Sequence, residues 1–170
     1  GHQPNEQGLT DFFKALMGDV LLLRDDFPGA DKIYQQVFLM NPAAGRSELI
    51  GLDLSRGKFG EAVRRSRQVL TDAKGAAETQ SAHWQLTTAL EKKGSFGEAS
   101  QAWARYLRDS AASRLSEADS PQPYLPSNQL SDLFITGRIQ AEMTSFTEAS
   151  KTAGELRSLG ERSADPRDLR

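Results

Sequence analysis

Few side chains in this sequence have the type and spacing that catalysis requires. The chain has two histidines, His2 and His83, and no cysteine. A histidine-based triad, a multi-histidine metal site and a thiolate site therefore lack residues. The segment from Gly51 to Lys58 resembles a phosphate-binding loop, but Phe59 stands where that loop needs a serine or threonine to hold magnesium. We expect no enzymatic activity, no metal and no cofactor.

Two further groups of side chains have binding chemistry. Trp103 and Tyr106 could stack on nucleobases, and an arginine cluster that begins at Arg64 could hold phosphate. The spacing of both aromatic residues from Ala99 favours the packed side of a helix, and the arginines are expected on a solvated face. The net charge of −2 argues against a general nucleic-acid binder, and no apolar run is long enough to span a bilayer. We expect neither nucleic-acid binding nor membrane insertion.

A six-residue sequence recurs along the chain and indicates what must position these side chains. Gly57–Ala62 reads GKFGEA and Gly94–Ala99 reads GSFGEA. Fainter copies are Asp25–Ala30, which reads DDFPGA, and Thr144–Ala149, which reads TSFTEA. Self-similarity at a period of 20–50 residues is the signature of stacked supersecondary units. The chain is therefore predicted to contain four such units.

Helical periodicity surrounds each copy of the repeated sequence. After each alanine, apolar residues recur at steps of four, seven and eight, as in Ala30, Tyr34 and Phe38, which predicts an amphipathic helix. The same reasoning places Ala149, Ala153 and Leu156 on one core-facing stripe. A second helical stretch precedes each turn, at about 9–24, 45–56, 79–93 and 127–143.

These units resemble the tetratricopeptide repeat (TPR) family, whose repeat is a helix–turn–helix with small and aromatic residues at set positions. The first unit carries the resemblance best, through Met17, Gly18, Phe27, Ala30 and Tyr34. Departures from the family pattern include Lys14, His83 and Gln140. The resemblance covers about residues 9–160 and implies an all-α fold, an α-solenoid of stacked antiparallel helix–turn–helix repeats.

The predicted organisation follows from the resemblance. It comprises a tag remnant or disordered N-terminus at 1–8, four hairpins, a Pro-rich insertion and a tail or partial capping helix at 161–170. The hairpins span about 9–42, 43–76, 79–112 and 127–160, and the insertion spans about 113–126. The insertion is a linker, an internal peptide over the groove or a polyproline segment that a partner binds.

In this family the first helices of successive units line a concave groove. On this chain, the resemblance places the following side chains in it: Asp19, Glu48, Trp84, Gln85, Thr88, Phe134 and Arg138. Aromatic residues and arginine dominate binding energy at protein interfaces, so we expect Trp84, Phe134 and Arg138 to be hot spots. Trp84 and Phe134 could instead pack against an adjacent unit.

The expected partner is another protein, bound as a helix or an extended peptide. Members that clamp acidic chaperone tails use cationic groove residues, whereas the matching positions here hold Ala15, Asp19, Glu48, Ser81 and Gln85. Such tails should not bind, because their carboxylates would be desolvated and unpaired. The alternative function is structural, as an internal segment of a longer solenoid or as an oligomerisation module in a larger complex. The sequence leaves the compartment open, with the cytoplasm favoured over the periplasm.

Overall fold

Helices alternate with short turns in a computed structural model of the protein, which describes residues 6–116 and 126–163. Within these ranges the chain forms eight helices and no strand, so the all-α class is confirmed. The helices are α1 (Glu6–Leu22), α2 (Phe27–Met40), α3 (Pro42–Ser55), α4 (Phe59–Asp72), α5 (Ala76–Lys93), α6 (Phe96–Ser116), α7 (Pro126–Glu142) and α8 (Phe146–Ser163).

The ends of several predicted segments differ in the structure or lie outside it. Helix α1 begins at Glu6, whereas the prediction began near residue 9, and α6 continues to Ser116. Residues 1–5, 117–125 and 164–170 are outside the described residues, and with them lie most of the proposed tag remnant, insertion and tail. None of the described helices is both long enough and apolar enough to cross a membrane.

One turn geometry closes the first helix of every pair. The four residues at this position have positive φ angles of 58°, 69°, 79° and 59°, in the order Asp25, Gly57, Gly94 and Thr144. At the third turn, the N–H of Ser95 donates to the carbonyl of Leu90 at 2.9 Å, and the N–H of Gly94 donates to that of Glu91 at 2.9 Å. Equivalent pairs of bonds occur at the other three turns. This is the Schellman closure of a helix C-terminus.

The alanine of each repeated sequence lies in the first turn of the following helix. The N–H groups of Ala30, Ala62, Ala99 and Ala149 donate to the carbonyl four residues earlier, at 2.9–3.0 Å. The first three alanines have no exposed surface. A methyl side chain at this position allows the paired helix to approach closely, so the repeated sequence sets both the turn and the helix contact.

The described residues fall into two compact units that divide between Asp72 and Ala73. In the first unit, α1 packs on α2, α2 on α3 and α3 on α4. Tyr34 is buried there with Leu49 and Leu52, against Phe27 and other partly buried side chains. A side chain at Gly18 would collide with the Tyr34 ring, which explains why a glycine occupies this position in α1.

In the second unit, α5 packs on α6, α6 on α7 and α7 on α8. Trp103 of α6 is 3% exposed and belongs to one cluster with Ile135 and Ile139 of α7. Its indole N–H donates to the Thr136 hydroxyl at 2.8 Å, and Tyr106 stacks on it with ring centroids 4.6 Å apart. The expected core role of Trp103 is therefore confirmed, and Trp103 joins the two hairpins of this unit.

The core stripe of α8 differs from the predicted one. Ala153 is exposed, whereas Thr152 beside it is buried. The Thr152 hydroxyl donates to the side-chain oxygen of Gln140 at 2.8 Å. The prediction for Ala153 was wrong because Thr152, through its bond to Gln140 of the paired helix, occupies the core-facing position of α8.

Substitutions at the left-handed turn residue test how much a side chain at this position lowers the free energy of unfolding. Thr144→Gly should raise the free energy of unfolding by about 0.5–1 kcal/mol, because the left-handed penalty of a β-branched residue exceeds the extra chain entropy of glycine. Urea denaturation measures the change. The reciprocal variant Gly94→Ala should lower the free energy of unfolding by about 1–2 kcal/mol. Equal stability of both variants and the wild type would contradict this reading of the turns.

Trp103→Ala tests the joint between α6 and α7. Loss of the buried ring should lower the free energy of unfolding by about 3–5 kcal/mol, as measured by urea denaturation. Phe146→Ala is the control, since its ring is 68% exposed and exposed substitutions usually change stability by less than about 0.5 kcal/mol. Similar losses in both variants would show that Trp103 has no special structural role.

Candidate functional site

A groove of about 510 Å³ lies between α5 and α7 in the second unit, and we call it the α5/α7 groove. Trp84 and Thr88 of α5 line it four residues apart, and Phe134 and Arg138 of α7 line it with the same spacing. Four-residue spacing places each pair on one helix face. The remaining lining residues are Glu91, Lys92, Phe96, Ser131, Ile135 and Glu142.

Trp84 is shared between the groove and the core. Its side chain remains 39% exposed, while its ring lies edge-on to Trp103 at 5.7 Å and tilted against Tyr106 at 5.6 Å. The two alternatives from the sequence, groove exposure and packing, therefore both apply to this residue. The core contacts hold the indole ring in place, so its free face is presented to the groove in a fixed orientation.

Phe134 is the most exposed aromatic side chain of the groove. It is 56% exposed, and the guanidinium of Arg138 lies 5.6 Å from its ring centroid. A contact of this kind at an exposed position contributes about 0.5–1 kcal/mol. The guanidinium thus lies over the Phe134 ring on the exposed side of α7.

Glu91 fixes Arg138 from the opposite side of the groove. Arg138 donates from Nε to Glu91 Oε1 at 3.0 Å and from Nη2 to Oε2 at 2.9 Å. The Glu91 side chain is largely buried, whereas that of Arg138 is about half exposed. Paired hydrogen bonds of this kind add geometric specificity as well as energy. Arg138, which the sequence analysis expects to be a hot spot, is therefore neutralised and oriented by Glu91.

The structure brings together four of the seven predicted groove residues. Trp84, Thr88, Phe134 and Arg138 line the α5/α7 groove. Gln85 is partly buried on α5 and does not line this groove. Asp19 and Glu48 belong to the first unit and form a separate site there.

Asp19 and Glu48 lie close to Tyr34 in the first unit. The Tyr34 hydroxyl donates to Asp19 Oδ1 at 2.7 Å, and burial raises the pKa of that hydroxyl, with a further rise from this hydrogen bond. Burial also raises the pKa of the Glu48 carboxyl above its ordinary value of 4.5, and the Asp19 charge raises it further. The two carboxylates thus form an acidic edge beside the exposed side chains of Phe12 and Leu16.

Other charged groups proposed from the sequence have structural partners. Arg64 donates to Glu61 at 2.9 Å and Arg65 donates to the buried Asp53 at 2.7 Å, so these arginines are not an open phosphate site. His83 is buried, and its Nδ1 lies 2.8 Å from Asp109. Among the described residues, no group of three or more histidine, cysteine or acidic side chains is arranged to hold a metal ion.

The sequence did not indicate several groove residues, among them Glu91, Lys92, Phe96 and Ser131. Glu91 follows Trp84 by seven residues, a spacing that places both on the same helix face. That signal could have located Glu91 in the groove. Its pairing with Arg138, 47 residues away, depends on how α5 and α7 lie side by side and has no local sequence signal.

Comparisons with known proteins add no further assignment. No family model matches the chain, and no curated protein is detectably similar to it. Function is therefore inferred from the repeated sequence and from the geometry of these sites.

Glu48→Gln tests the acidic edge through the pH dependence of stability. Because the folded state raises the Glu48 pKa, stability falls as pH rises from 4.5 through the raised value, and the penalty is fully present above that value. The amide mimics the protonated acid, so the variant should be more stable than the wild type at about pH 7. This advantage should disappear at about pH 4.

Urea denaturation at both pH values measures the difference. Glu155→Gln, a change at an exposed glutamate of α8, should alter stability by less than about 0.5 kcal/mol. A Glu48→Gln variant less stable than the wild type at neutral pH would show that the charged carboxylate is stabilising in the fold.

Proposed function

We propose that this protein is a non-enzymatic interaction module of the TPR type, in which four hairpins stack as an α-solenoid. Its α5/α7 groove receives apolar side chains from a helix or an extended segment of another protein. The observation that carries this proposal is that Trp84, Phe134 and Arg138 line one groove, with the rings of Trp84 and Phe134 exposed to solvent.

The repeat supports the fold part of the proposal. All four turns have a left-handed residue and the same pair of closing hydrogen bonds. Each of the four following alanines donates an equivalent backbone hydrogen bond, to the carbonyl four residues earlier. Trp84 and Phe134 occupy equivalent positions of their hairpins, 50 residues apart, as do Thr88 and Arg138. Equivalent positions on adjacent first helices form the binding face that the family resemblance implies.

The physical chemistry of the groove favours a protein ligand. Exposed aromatic rings supply apolar area with little side-chain entropy to lose, because core contacts or Arg138 already hold them. The Arg138 charge is paired with Glu91, so a ligand need not desolvate an uncompensated guanidinium. Lys92 and Glu142 lie in the lining with opposite charges, as expected for the polar rim of an interface.

Phe134→Ala is the sharpest test of the groove. Peptides selected from a displayed random library on the wild-type protein should bind the variant about 10-fold or more weakly, since truncation of a hot spot usually costs about 2 kcal/mol or more. Isothermal titration with the selected peptides measures the affinities. Phe134 is the cleaner choice than Trp84, because Trp84→Ala also removes two ring contacts worth about 0.5–1.5 kcal/mol each.

Phe146→Ala is the matched control, since it removes an exposed ring from the same unit outside the groove. It should leave the affinity unchanged. Failure of the selection to enrich any peptide, or equal binding by the Phe134→Ala and Phe146→Ala variants, would overturn the proposal.

A further inference from the structure

A second apolar surface lies on α1, in the first unit. Phe13, Met17 and Val20 are 59%, 57% and 43% exposed, and their spacing of four and three residues places them on one side of the helix. Arg24 follows Val20 by four residues and is also exposed. A contiguous row of exposed apolar side chains often marks a site of interaction with another molecule.

The internal repeat shows what covers the equivalent face of α3. Leu49, Leu52 and Arg56 are the counterparts of Met17, Val20 and Arg24, 32 residues later. Leu49 and Leu52 are buried in one cluster with Tyr34 of α2, and the Arg56 guanidinium lies 6.0 Å from the centroid of the Phe27 ring at the start of α2. The face of α3 is thus covered by the second helix of the preceding hairpin.

The second unit repeats this arrangement on α7. Thr136 and Ile139 are the counterparts of Met17 and Val20. Both contact Trp103 of α6, Thr136 through a 2.8 Å hydrogen bond and Ile139 through the shared apolar cluster. Trp103 is itself the counterpart of Tyr34. In both units, therefore, these positions receive an aromatic residue from a helix that precedes them.

We propose that the α1 face formed by Phe13, Met17, Val20 and Arg24 docks an amphipathic helix of a partner protein. The docked helix carries an aromatic residue, an alanine three residues later and a second aromatic residue four residues after that. Helices α2 and α6 both have this pattern, in Phe27, Ala30 and Tyr34 and in Phe96, Ala99 and Trp103. The first aromatic residue lies against Arg24, and the second lies against Met17 and Val20.

Phe13 limits how closely the docked helix can approach α1. Its counterpart on α3 is Gly45, where a side chain would collide with the backbone of Phe38. Phe13 cannot allow so close an approach, so the docked helix contacts α1 through side chains rather than backbone. This difference selects a partner helix with large side chains on its docking face.

The described helices of a second copy of the chain do not supply the occupant. Tyr34 of α2 and Trp103 of α6, the second aromatic residue of each pattern, are packed within their own units. At the counterpart of Tyr34, α4 has the buried Ser66 and α8 has the exposed Ala153. Within the described residues, no helix presents the required pair of aromatic side chains to solvent, so these helices of a second copy offer no occupant.

A peptide with the required pattern tests the surface directly. The probe is a fluorescein-labelled synthetic peptide with the sequence of residues 95–112, which contains both aromatic residues and the alanine. Fluorescence anisotropy with the full chain should show saturable binding that weakens 10-fold or more in Met17→Glu. Leu39→Glu is the matched control, because Leu39 is exposed in the same unit on α2 and should leave binding unchanged.

Two further measurements distinguish a lost contact from a misfolded variant, and the α1 face from the α5/α7 groove. A probe with its tryptophan replaced by alanine should bind the wild-type chain at least 10-fold more weakly, whatever the folding of the protein variants. Phe134→Ala should bind the probe as the wild type does, which separates this surface from the α5/α7 groove. Absence of saturable binding, or equal binding by Met17→Glu, would overturn the proposal. A wild-type dimer in sedimentation that Met17→Glu abolishes would also overturn it, because the occupant would then be a second copy of the chain.

Discussion

The left-handed residue between the helices of each pair is the constraint on which the rest of the structure depends. It lets two hydrogen bonds close the first helix and reverses the chain, which places the alanine five residues later in the first turn of the second helix, where three of the four alanines are fully buried. Because the same geometry recurs at Asp25, Gly57, Gly94 and Thr144, the first helices present equivalent positions. The groove residues and the α1 face both follow from this periodicity.

The repeated sequence was sufficient to predict the helix pairs, because periodicity and turn residues are local signals. It also identified Trp103 as a core residue from its distance to Ala99. It did not predict that Asp25 and Thr144 would adopt positive φ angles, since threonine disfavours them and aspartate adopts them far less often than glycine. Only alignment with Gly57 and Gly94 indicates the position.

Side-chain pairing was beyond sequence reasoning for a different reason. The bonds from Arg138 to Glu91 and from Thr152 to Gln140 join different helices and depend on the distances between helix axes. The pKa rise at Glu48 likewise depends on how α1 and α3 bring Asp19 near a partly buried carboxyl. The local sequence determines on which face of a helix a residue lies, whereas the packing of the helices determines which side chain it pairs with.

Trp84 connects the proposed binding site to the joint within the second unit. One side of its ring contacts Trp103, and Trp103 bonds to Thr136 on α7, the helix that also carries Phe134 and Arg138. A ligand held between Trp84 and Phe134 would contact two helices that are already tied through Trp103. Since such a ligand binds only the packed arrangement, its binding free energy adds to the stability of the unit. Affinity and the packing of α5, α6 and α7 are therefore coupled through a single aromatic cluster.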